Sequence, residues 1–354
     1  MNRNNNLDGL RGIAALSVVL GHCATYYGGV AIYLKEIADF PDMTSAQIFI
    51  RLWHSVFNAD AAVMLFFVLS GYVLGKSMLR RTESPARAFL PFVFRRITRL
   101  YPVAIAAGAV LWVALPHVTM PEAFAAATLM DRSVNGVIWS LQVELLGSVV
   151  IFAVWALRSR LLVGALIAAF GYLYIAVPAW AHPLTFGKFP SMFLMFQAAF
   201  ICGYALACDL IRIPRSKALL VAGIVAYLGA DLFLGREFGT RMMEISGATI
   251  VVGYFARFPV AALDSRAAQF LGAVSYPMYI VQIVSVDFGA RFVERVDQMG
   301  APLPKVLLLA SAVVPISLVI GWLMMVAVER PGMKLPALVA ARRRAAPATF
   351  TEVA

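Results

Sequence analysis

The chain of 354 residues is 61% hydrophobic and only 14% charged, with a mean hydropathy of +0.81, whereas ordinary soluble domains carry roughly 25% charged residues. This composition excludes a soluble globular protein and defines an integral membrane protein. The net charge of +11 falls in short clusters between apolar runs, which points to the orientation of membrane spans and not to a nucleic-acid partner.

Apolar stretches of about 20 residues recur along the whole chain, the signature of an all-α polytopic membrane protein and not of the weakly alternating strands of a barrel. About ten transmembrane helices are predicted, near 8–28, 58–78, 97–115, 138–157, 161–180, 191–208, 218–235, 242–257, 268–288 and 304–328. An even count puts both termini on one side. With both termini cytoplasmic, 21 of the 30 Lys and Arg lie inside and nine outside, in keeping with the positive-inside rule.

Arg3 and Arg11 precede the first apolar run as in a signal peptide, but no A-x-A site follows, so the segment reads as a retained first span. Cys23, Cys202 and Cys208 all sit in apolar runs and show no disulfide framework or metal-ligand spacing. Residues 1–335 read as one membrane domain. Residues 336–354 read as a basic, unstructured cytoplasmic tail. No inverted internal repeat is visible, which counts against a transporter.

Ionisable groups inside spans are costly in hydrocarbon, so each is a functional candidate. The first span, "LDGLRGIAALSVVLGHC" (7–23), carries Asp8, Arg11 and His22. At 1.5 Å per residue His22 lies about 21 Å above Asp8, and at 100° per residue Arg11 and His22 differ by only about 20° around the helix axis. One face of the span is therefore polar from bottom to top and must line a cavity or a partner helix. In "FRRITRLYP" (94–102), Arg96 and Arg99 are three residues apart and share a helix face. Two guanidinium forks side by side suit phosphate groups, although such arginines also serve as topology anchors. In "NGVIWSLQVELLGS" (135–148), counting from Ile138 places Glu144 about 9 Å below the outer surface, near the depth of His22. A carboxylate and an imidazole at matched depth suggest an acid/base centre, while pairing of Glu144 with an arginine is the structural alternative.

Six stretches together resemble the acyltransferase-3 family of membrane O-acyltransferases: "LDGLRGIAALSVVLGH" (7–22), "FFVLSGYVLG" (66–75), "RRITRLYP" (95–102), "WSLQVE" (139–144), "FLGAVSYPMYI" (270–280) and "VERP" (328–331). They occur in family order across nearly the whole chain. The resemblance implies about ten spans and transfer of an acyl group, usually acetyl, from cytosolic acyl-CoA to a hydroxyl of a sugar or lipid-linked glycan. It implies that His22 is the essential histidine of the first span and that Arg96 and Arg99 are the family's R-x-x-R pair. Asp8, Arg11, Ser70, Trp139, Glu144 and Tyr276 match further motif positions.

On this reading His22 is the general base or an acyl-carrying nucleophile, with Glu144 or Asp8 orienting its ring. Arg96, Arg99 and Arg11 hold acyl-CoA, which is a donor substrate and not a resident cofactor. Trp139, Ser70 and Tyr276 bind the acceptor or support the site, and no metal is called for. The implied partners are acyl-CoA, a glycan or glycolipid acceptor and membrane lipid, in a bacterial inner membrane. Two departures from the family pattern stand out. Gln282 occupies a position where the family frequently has His, and "LLGS" follows Glu144 in place of "E-x-x-F-Y". A glycan or lipid transporter, with the polar stripe as its permeation path, is the alternative reading.

Overall fold

A computed structural model describes residues 4–176, 196–234, 238–296 and 302–345, and all regular structure among them is helical. In chain order the helices are α1 (Asn5–Tyr33), α2 (Ser45–Val56), α3 (Ala59–Leu79), α4 (Pro85–Ala114), α5 (Met120–Ala127), α6 (Ile138–Leu157) and α7 (Arg160–Ala176), followed by α8 (Gln197–Ala207), α9 (Lys217–Leu234), α10 (Phe238–Arg257), α11 (Ala261–Asp264), α12 (Arg266–Val296), α13 (Pro302–Met324) and α14 (Arg330–Ala345). A π-helical turn, Met325–Glu329, joins the last two.

Local chemistry sets many of the boundaries. The Asn4 side chain accepts a hydrogen bond from Leu7 N and starts α1, while Asn58 Oδ1 accepts from Ala61 N at 3.0 Å and starts α3. Thr44 with Gln47, and Thr119 with Glu122, form reciprocal capping boxes ahead of α2 and α5. Gly29 takes φ 71° and ψ 165°, a conformation open to glycine, and breaks the helical path of α1 near its far end.

Seven helical stretches are long and apolar enough to cross a membrane: Asn5–Tyr33, Ser45–Leu79, Pro85–Ala114, Ile138–Leu157, Lys217–Leu234, Arg266–Arg295 and Pro304–Val339. They coincide with seven of the ten expected windows, and the protein is a multi-pass membrane protein. The windows 161–180 and 191–208 overlap the shorter apolar helices Arg160–Phe170 and Gln197–Ala207 and lie partly outside the described residues. The window 242–257 falls within α10, whose first turns carry Arg241 and Glu244. The count established among the described residues is therefore seven. One expectation needs correction: residues 336–345, read as unstructured tail, continue α14, because Leu, Ala and Arg are strong helix formers. The rest of the tail lies outside the described residues.

The core sits around α3 and α12, in each of which 61% of the apolar window is inside the protein, against 22% for α9. Large apolar side chains such as Leu161, Val113 and Leu90 are 87%, 79% and 74% exposed, the reverse of a soluble surface and suited to lipid. With no hydrophobic drive between helices in lipid, close packing must hold them together, and glycine supplies it here. A Cβ on Gly12 of α1 would stand 2.3 Å from Gly272 N of α12, and one on Gly272 would stand 2.3 Å from Asp8 O. Gly71 of α3 and Gly203 of α8 make an equivalent seam, each within 2.1 Å of a backbone oxygen of the other helix by the same measure. These seams fix how α1 meets α12 and how α3 meets α8, and both junctions border the site.

Candidate active site

Two cavities lie one beyond the other along α1. The first, about 120 Å³, is lined from the lower turns of α1 by Asp8 and Arg11, from α3 by Ser70, from α4 by Arg96 and Arg99, from α6 by Ser140 and Glu144, and from α12 by Ser275, Tyr276 and Tyr279. Three guanidinium groups thus share one lining with two carboxylates. Arg96 Nη2 donates to Glu144 Oε1 at 2.7 Å, with the two side chains 8% and 18% exposed. Ser70 Oγ donates weakly to the same oxygen at 3.5 Å. Arg11 Nη2 pairs with Asp8 Oδ1 at 3.3 Å and donates to Gly272 O at 3.1 Å. The Tyr276 hydroxyl donates to Leu100 O at 2.7 Å and ties α12 to α4. Arg96 Nε is buried without a hydrogen-bond partner. A buried donor left open in this way, beside a second arginine, is chemically suited to an anion.

The second cavity, about 390 Å³, is lined by His22, Thr25 and Tyr26 of α1, by Asp60 of α3, by Gly136, Val137 and Trp139 at the start of α6, and by Tyr279 and Ile283 of α12, among others. The indole of Trp139 packs on Phe67 and Phe196, with ring centroids 6.1 and 5.3 Å away. Asp60 Oδ2 accepts from Arg241 Nη2 at 2.6 Å and from the Tyr33 hydroxyl at 3.0 Å, and Arg241 also reaches Glu244 Oε2 at 2.5 Å. His22 Nδ1 is 3.1 Å from Gln282 Oε1. Val63 and Tyr279 line both cavities. The Tyr279 hydroxyl is held by Ser140 Oγ at 2.9 Å, so the divide between the cavities is braced across α6 and α12.

The arrangement unites Asp8, Arg11, Ser70, Arg96, Arg99, Glu144 and Tyr276 around the first cavity and puts His22 and Trp139 on the second. Glu144 is the residue whose placement departs most from the sequence-based expectation. It stands with Arg96 at the first cavity, and the ring of His22 is bonded to Gln282 and not to Glu144 or Asp8. The physical reason is the start of α6. Asn135, fully buried, donates from Nδ2 to Ile280 O at 3.1 Å, so α6 begins against α12, beside the second cavity. Six residues on, about 9 Å along the helix, Glu144 has passed into the first cavity.

Sequence reasoning missed Asp60, Tyr279 and Val63 as lining residues, and Gln282 as the partner of His22. A lone amide within the apolar run "YIVQIV" (279–284) was the one visible signal for Gln282, since a side-chain amide in lipid seeks a partner on another helix.

Fold and site together define a multi-helix membrane protein with an arginine-lined cavity next to a histidine-lined one. A family model described as an acyltransferase domain matches residues 4–324. The chain belongs to the acyltransferase-3 family and is a membrane acyltransferase. Among curated relatives, it is 25% identical to the Komagataeibacter xylinus protein described as "Putative membrane-bound transacylase BcsY", over 98% of this chain and 87% of that one. It is 29% identical to Acyltransferase R4 of a Phoma species over 36% of this chain and 31% of the relative. To O-acetyltransferase PaAT-1 of Phomopsis amygdali it is 35% identical over 27% of this chain and 19% of the relative. No solved structure matches the chain.

Proposed function

We propose that the protein transfers an acyl group, acetyl first among candidates, from cytosolic acyl-CoA to a hydroxyl of a sugar in an extracytoplasmic or lipid-linked glycan, with both termini on the cytoplasmic side of a bacterial inner membrane. The observation that carries this reading is the pair of cavities meeting at Val63 and Tyr279, one lined by Arg11, Arg96 and Arg99 and the other by His22. Acyl-CoA is phosphate-bearing at one end and thin along its pantetheine arm. The arginines hold the phosphate end, and the arm passes between Val63 and Tyr279 to bring the thioester beside His22. Glu144 and Asp8 serve by holding Arg96 and Arg11 in position.

The acceptor enters the second cavity, where Trp139 gives it an aromatic wall. His22 takes the proton of the acceptor hydroxyl, whose oxygen attacks the thioester carbonyl. As the C–O bond forms the C–S bond breaks, and the departing CoA thiolate takes the proton from His22. The O-acetyltransferase among the relatives supports an acetyl donor and a hydroxyl acceptor.

The test is transfer of radiolabelled acetyl from acetyl-CoA to candidate glycans by purified protein. His22→Ala is expected to lower transfer by about 10²–10⁴-fold, the range of a general base, while donor binding persists. Intact thioester and unmodified glycan with the wild-type protein point to a carrier and defeat the proposal.

A further inference from the structure

We infer that Gln282 is a positioning residue that holds the imidazole of His22 in the Nδ1–H tautomer and so leaves Nε2 as the basic nitrogen of the second cavity. The inference rests on the acyl-transfer reading only for its consequence in catalysis; the tautomer itself follows from hydrogen-bond geometry. Gln282 is fully buried. Its Nε2 lies 2.9 Å from Tyr279 O, one turn back on α12. A carbonyl oxygen only accepts, so the NH₂ end of the amide must face it, and that fixes the orientation of the whole side chain. The other end, Oε1, then stands 3.1 Å from His22 Nδ1. A carbonyl oxygen there requires a proton on Nδ1. A neutral imidazole has one N–H, and its lone pair is therefore on Nε2.

Three features make this a built arrangement and not a chance contact. The Gly12–Gly272 seam brings α1 and α12 as close as backbone allows, so the register that sets His22 against Gln282 is rigid. The carbonyl that orients Gln282 belongs to Tyr279, whose hydroxyl is fixed by Ser140; the residue at the divide between the cavities thus also anchors the amide. Asp8 and Glu144, the carboxylates that sequence suggested for this task, are committed to arginines at the other cavity. An amide orients the ring without adding a negative charge where an acyl group must fit.

In the reaction cycle the proton of the acceptor hydroxyl goes to Nε2, the imidazolium keeps its Nδ1–H bond to Gln282, and Nε2 returns the proton to the CoA thiolate. The starting tautomer is restored at the end of each turnover. A ring with its proton on Nε2 could not begin the cycle, which is the general reason that triad-like sites orient their histidine.

The test is ¹⁵N NMR of ring-labelled histidine in the full-length protein in lipid nanodiscs. The chain has four histidines, and the resonances absent from His22→Asn identify His22. The expected spectrum has Nδ1 protonated and Nε2 bare. In Gln282→Leu the tautomer preference is lost and kcat falls at least about 10-fold with the KM for acetyl-CoA unchanged. Gln282→Glu, which keeps an acceptor at the same reach, restores protonation of Nδ1. A wild-type ring protonated on Nε2 overturns the inference, even where Gln282→Leu fails to fold. So does an unaltered ring spectrum and kcat in Gln282→Leu. Wild-type protein with the expected ring but no transfer to any acceptor upholds the positioning and defeats the acyl-transfer reading instead.

Discussion

Arg96 and Glu144 form a buried charge pair in the lining of the first cavity. Their 2.7 Å contact is 8% and 18% exposed, so each ion has surrendered most of its hydration and depends on the other. Removing one partner strands the second. Glu144→Ala is expected to lower stability by about 3–5 kcal/mol, the usual cost of leaving a buried charge alone, read as a fall in Tm of the detergent-solubilised protein. Replacing both, as Arg96→Met with Glu144→Leu, removes the stranded charge and recovers most of that loss. The double variant still lacks a guanidinium from the first cavity, so its KM for acyl-CoA rises. A double variant with wild-type donor affinity would reduce the pair to a packing device.

Helix contacts are governed by where a side chain is missing. Gly272 has no room for a Cβ, since one would stand 2.3 Å from Asp8 O. Gly272→Val must push α12 away from α1, and that movement separates His22 from Gln282 and draws Gly272 O away from Arg11. The expected result is a lower Tm, by overpacking of about 1–3 kcal/mol or more, together with loss of transfer. Gly164 of α7 is the control, because a Cβ there meets nothing within 4 Å. Gly164→Ala should leave Tm unchanged or raise it, in line with the higher helix propensity of alanine, and should keep full transfer. A tolerated Gly272→Val would show that the α1–α12 seam is softer than its backbone contacts imply.

Across the whole molecule, the proposed function requires a route through the bundle, with arginines at one end, an imidazole further along α1, and Val63 and Tyr279 between them. Both dividing residues line both cavities, so a larger side chain at either one projects into the passage between them. Val63→Trp is expected to close the route. Acyl-CoA still binds through its phosphates, with its affinity within a few-fold of wild type, while transfer and slow thioester hydrolysis both fall to background. Donor affinity that collapses along with transfer would place Val63 inside the nucleotide end of the site and not at a divide. The charged cluster of Asp60, Arg241, Glu244 and Tyr33 lies beyond that divide, where Asp60 lines the second cavity.

The class of protein was settled by composition and periodicity, because hydrocarbon accepts only long apolar helices whose backbone groups are satisfied within the helix. The polar stripe of Asp8, Arg11 and His22 was legible for a similar reason: helical geometry alone puts them on one face, and that face does line the two cavities. The shared face of Arg96 and Arg99 was legible by the same three-residue spacing. Depth and partnership were not. The expected orienting role of Glu144 or Asp8 toward His22 rested on helical spacing alone, whereas the fold pairs Glu144 with Arg96 and Asp8 with Arg11. The bond from His22 to Gln282 joins residues 260 positions apart, and no local pattern encodes it. Such contacts are chosen when glycine seams lock one helix against another at a particular height, and that choice belongs to packing among all the helices at once.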